Sequence, residues 1–89
     1  MNTAEFLRAL WTVEHALESK THLKDEFLDA TDSIALGASV ASEESLEQLK
    51  TSLARVVQFY FGNSNEVAIT LFNDLFGMNY SSVVSSLES

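Results

Sequence analysis

The segment Asn65–Phe76 carries apolar residues around too much of the helix it should form, and that surplus limits what the chain can build. At about 100° per residue, Val67, Ala68, Ile69, Leu71, Phe72, Leu75 and Phe76 spread over an arc of roughly 200°, whereas about 100° is enough for a surface helix facing one core. Such a helix needs cover on two sides. In a chain of 89 residues the cover comes from helices of the same chain or from a second molecule.

The rest of the pattern is helical as well. Proline is absent, and the three glycines, at 37, 62 and 77, mark places where a helix can stop, because glycine tolerates the left-handed conformation of a helix end. No stretch alternates with period two, so no sheet is expected. A first helix should start at Asn2 or Thr3, where Asn2 and Glu5 have capping-box spacing. Its apolar stripe is Phe6, Leu10, Val13 and Leu17, with Trp11 and His15 off that stripe.

A second helix is expected from about His22 to Leu36, capped by Thr21 and ended by Gly37. Leu23, Phe27, Ala30 and Ile34 form its inward face, and Asp25, Glu26, Asp29 and Asp32 fill the opposite one. The third should begin after Ser42, with Glu43 and Glu44 favourably placed in its first turn, and should stop at Gly62. Leu46, Leu49, Leu53, Val56, Val57 and Tyr60 are its stripe; Lys50 falls inside that arc and must reach solvent or meet an acid. The fourth follows a polar cluster in which Asn63 and Glu66 again have capping-box spacing, and it ends at Gly77. The tail from Asn79, with Tyr80, Val83, Val84 and Leu87, reads as a short helix or docked turn that frays beyond Leu87. The expected architecture is therefore all-α, one domain spanning residues 1–89: a small bundle of four principal helices plus a short C-terminal helix.

Composition bounds the function. Thirteen acidic against five basic residues give a formal net charge of −8. That sign repels phosphate backbones and anionic lipid, so direct nucleic-acid and membrane partners are not expected, and a basic protein partner fits better. Cysteine is absent, which removes disulfides and thiolate metal sites. Met1 to Glu5 lack the basic start and continuous apolar run of a secretory leader, so the expected location is cytoplasmic. No nucleophile elbow or glycine-rich phosphate loop is present, and the acids fall on faces that should be wet, where nothing raises a carboxyl pKa for catalysis. No enzymatic activity and no cofactor are expected.

Three readings of function follow. The first is a small acidic protein-binding module of regulatory, inhibitor or immunity-like type. It would act stoichiometrically through an apolar and aromatic patch of Trp11, Phe59, Ile69, Phe72 and Phe76, bordered by the carboxylates of Asp25, Glu26, Asp29 and Asp32. On this reading Val67, Leu71 and Leu75 face the chain's own core, and the patch meets a protein partner or a second copy in a homodimer. The second is a nucleic-acid mimic, in which the acids imitate phosphates toward a nucleic-acid-binding protein. The third is a metal-binding protein using His15, Glu18 and His22, whose spacing puts them on one side of an unbroken helix.

Overall fold

The computed structural model describes residues 1–87 and contains five α-helices: α1 (Thr3–Leu17), α2 (Lys24–Ser39), α3 (Glu43–Phe61), α4 (Glu66–Phe76) and α5 (Tyr80–Leu87). A 3-10 turn, Glu18–Lys20, joins the first two. The expected all-α bundle of four principal helices and a short C-terminal one is what forms. Fraying beyond Leu87 concerns residues 88 and 89, which lie outside the described residues.

Local chemistry sets most boundaries. At α1 the Asn2 side chain accepts from the Glu5 amide at 2.9 Å, while the Asn2 amide donates to Glu5 Oε1 at 3.1 Å, the reciprocal bonding expected of that spacing. Ser42 caps α3 by accepting from the Ser45 amide, and Asn79 caps α5 by accepting from the Ser82 amide. Gly62 and Gly77 close α3 and α4 with φ of 79° and 62°, a region that side chains with a Cβ rarely enter. The amides of Gly77 and Met78 both donate to the Phe72 carbonyl, and Met78 packs against the core.

Three boundaries differ from expectation. Gly37 does not end α2; the helix runs on to Ser39, and a Cβ built on Gly37 would sit 3.6 Å from Leu49 of α3. Its sequence context suits a stop, but its backbone remains helical where α2 lies against α3. The cap of α4 is Asn65 rather than Asn63: extended backbone at φ −69°, ψ 113° lets its side chain accept from the Ala68 amide at 3.0 Å. Finally, α2 starts at Lys24, not His22. The Thr21 hydroxyl still accepts from a nearby amide, that of Leu23, but within the turn that precedes the helix.

One apolar cluster draws on all five helices. Phe6, Leu10, Val13 and Leu17 of α1 are fully buried, as their stripe requires, and Leu46, Leu53 and Val57 of α3 meet them with Phe27 of α2. Lys50 lies within the same face, buried along its stem, and its ammonium donates to Glu47 Oε1 at 2.8 Å. Helix α4 packs on α1 and α5, and α5 also packs on α3. Tyr80 is completely buried at that junction, and its hydroxyl donates to the Gly62 carbonyl at 2.8 Å. Burial pushes the Tyr80 phenol up to about 12.

Two substitutions test this frame. Gly37→Ala should raise stability by about 0.5–1 kcal/mol, since an alanine meets only ordinary contact with Leu49 and lowers the entropy of the unfolded chain. Tyr80→Phe should cost about 1 kcal/mol for the lost hydrogen bond. Both are read by urea denaturation. A phenol whose pKa is raised on folding contributes stability in full below the unfolded value of 10 and loses it as pH climbs towards 12. Denaturation midpoints should therefore fall across that interval, and less so in Tyr80→Phe.

Candidate functional site: an apolar groove between α1 and α2

The aromatic part of the surplus on α4 is covered inside the molecule. Phe72 is 0% exposed and Phe76 4%, and Ile69 is half-buried against the same cluster. The patch expected from Ile69, Phe72 and Phe76 is thus not a free surface. Their rings instead form a row: Phe6 meets Phe76 edge-on with centroids 5.7 Å apart, Phe76 meets Phe72 at 5.1 Å, and Phe72 meets Tyr80 at 5.1 Å. Aromatic rings have more apolar surface to hide than valine or leucine, so α4 is turned to bury them. Val67, expected to face the core, is left exposed, and Leu71 and Leu75 are only half-buried. The tail supplies the outer cover through Tyr80 and Val84.

Phe59 and Trp11 do stand at the surface, but not together with those rings. Phe59 is 76% exposed and lies edge-on to Tyr60 at 4.9 Å on α3. Trp11 is 50% exposed, on the side of α1 that faces α2.

Between α1 and α2 runs a groove lined by Leu7 and Trp11 on one side and by Asp32, Ala35, Leu36 and Ser39 on the other. Leu36 is 73% exposed and Val40, just beyond it, 86%. The helices are fastened beside it by Thr31, whose buried hydroxyl lies 2.8 Å from Glu14 Oε2 and 3.0 Å from the Leu28 carbonyl and can donate to either. The helical pattern gives Leu36 no role beyond the end of the second helix, although a signal exists: it is a large apolar residue on the charged face of α2. Spacings of 4, 3, 4 and 4 place Asp25, Asp29, Asp32, Leu36 and Val40 in one row along that face.

All four α2 acids are exposed. Ion pairs form between Lys24 and Glu18 at 3.8 Å and between Lys50 and Glu47 at 2.8 Å, so among the described residues the four carboxylates have no basic side chain in contact. Their field is felt by Tyr60, whose phenol is held above its ordinary value first by desolvation and then by the charges of Glu26 and Asp29. A second cleft, between α1 and α4, contains Glu5, Arg8 and Asp74, but Glu5 is committed to the α1 cap. The third concave surface is the exposed edge of α4 at Glu66, Val67, Thr70 and Leu71.

His15, Glu18 and His22 do not assemble as metal ligands. Helix α1 ends at Leu17, Glu18 lies in the 3-10 turn and His22 beyond it, so the shared helical side is lost. Among the described residues no group of three histidines and carboxylates is placed to hold a metal ion, and no helix is long and apolar enough to cross a membrane. Compared with protein-family models, with curated proteins and with solved structures, the chain has no match.

The two kinds of aromatic position should respond differently to truncation. Phe72→Ala should lower stability by about 3–5 kcal/mol, a large share of what a domain of this size possesses. Phe59→Ala should stay within about 0.5 kcal/mol of wild type. Chemical denaturation of the two variants measures the contrast.

Proposed function

We propose that this chain is a stoichiometric protein-binding module of regulatory, inhibitor or immunity-like type, working through the α1–α2 groove rather than by turnover. The observation that supports this most is the pairing of half-exposed Trp11 with largely exposed Leu36 along one apolar groove with Asp32 in its wall. Tryptophan is the residue most often found to dominate binding energy, because a large rigid ring gains contact at little entropic cost. A fold that buries Phe72 and Phe76 while leaving Leu36 and Trp11 in water retains an apolar surface that a partner can cover.

The exposed α2 carboxylates favour one further reading, mimicry of a nucleic acid toward a protein that binds one. The two readings predict different salt responses. Groove binding should change modestly between low and physiological salt, and Leu36→Asp should weaken it at least about thirtyfold while helicity is retained. Mimicry should lose affinity steeply with salt, and it should be abolished by neutralising Asp25, Glu26, Asp29 and Asp32 while Leu36→Asp has no effect. Affinity of the captured partner, measured by calorimetry for both variants at two salt concentrations, separates them.

A further inference from the structure

We propose that the segment filling the α1–α2 groove is a cationic amphipathic helix belonging to a different protein, with one large apolar residue between Trp11 and Leu36 and Lys or Arg beside Asp32, Asp29 and Asp25. This rests on the groove reading above and adds the chemistry of the occupant. The row along α2 is divided: Leu36 and Val40 at one end are apolar, and the three aspartates at the other are acidic. From Asp25 to Leu36 the row spans eleven residues, or about 16 Å at 1.5 Å per residue, the length of three helical turns.

A helix lying along that row has its own neighbours at the same spacing. An apolar anchor at one position, followed by cations four, seven and eleven residues away on the same face, matches Leu36 and then Asp32, Asp29 and Asp25 in turn. The aspartates have no basic side chain in contact among the described residues, so their charge is available to the occupant. Wet carboxylates at the rim set selectivity and association rate, while the Trp11–Leu36 end provides the apolar contact.

A second copy of this chain fits poorly. Laid parallel across the row it sets Asp25, Asp29 and Asp32 against themselves; laid antiparallel over the whole row it sets Asp25 and Asp29 against Val40 and Leu36 and brings Asp32 against Asp32. The chain has five basic residues, of which Lys24 and Lys50 already face Glu18 and Glu47.

Trp11 is the sole tryptophan, so its emission reports directly on the groove. The probes are three synthetic peptides without tryptophan, each unstructured when free: one with a leucine anchor and lysines at the stated offsets, one with glutamates replacing the lysines, and one with alanine replacing the leucine. The leucine–lysine peptide should shift Trp11 emission to the blue, saturate at one equivalent and gain helicity by circular dichroism. The other two should bind at least tenfold more weakly. Leu36→Asp, at an exposed position that leaves the fold intact, should reduce affinity at least tenfold, and the combined Asp25→Asn, Asp29→Asn, Asp32→Asn variant should do so at low salt.

Equal binding of the lysine and glutamate peptides, or an unchanged affinity in the triple asparagine variant, overturns the cationic occupant but keeps the groove. Binding without a gain of helicity overturns the helical one. Binding that leaves Trp11 emission and the Leu36→Asp affinity unchanged, or no binding by any peptide, overturns the groove reading itself. Self-association by light scattering that Leu36→Asp abolishes assigns the groove to a second copy instead.

Discussion

The row of rings from Phe6 through Phe76 and Phe72 to Tyr80 links α1 to α5 by way of α4, and the orientation of all three helices depends on it. Edge-on and tilted ring pairs gain electrostatic as well as apolar stabilisation, and each fixes the rotation of the helix that carries it. With Phe72 and Phe76 turned inward, α4 has one orientation about its axis; with Tyr80 bound to the Gly62 carbonyl, α5 has one position along it. A second group, Phe27 against Tyr60 and Phe61, does the same for α2 on α3. The remaining aliphatic side chains fill the space that these aromatic contacts define.

How much of this could be read from the residues depends on how local the deciding chemistry is. Asn2 with Glu5, Ser42 and Gly77 work within one helical turn, and each acts where its spacing places it. Gly37 is different. A glycine in a helix and a glycine ending one look alike in sequence, and the helical one here lies where α2 meets α3, a contact made twelve residues away at Leu49. Asn63 and Asn65 compete for one cap, and only the backbone angles at Asn65 decide between them.

The apolar arc of α4 posed a harder question. Its width correctly implies cover on two sides, but a helical wheel says nothing about what provides it. Because the arc is so broad, several rotations bury a similar number of residues, and ring area selects the one observed. Phe72 and Phe76 consequently move from the expected docking patch into the interior, with Ile69 half-buried beside them, and α5 and α1 act as the cover. Trp11 and Phe59 lie at the surface as their positions on the wheel imply, on separate parts of it. Leu36 shows the converse lesson: one apolar residue among acids is easily taken as noise in a charged face, although it completes the groove that Trp11 begins.

The bond from Tyr80 to the Gly62 carbonyl also makes the short fifth helix a seal for the fourth. A chain cut after Phe76 loses Tyr80 and Val84 together, and the flank of α4 that carries Phe72 is then bared to water. Eight residues thereby decide whether the broadest greasy surface of the molecule is hidden or left adhesive.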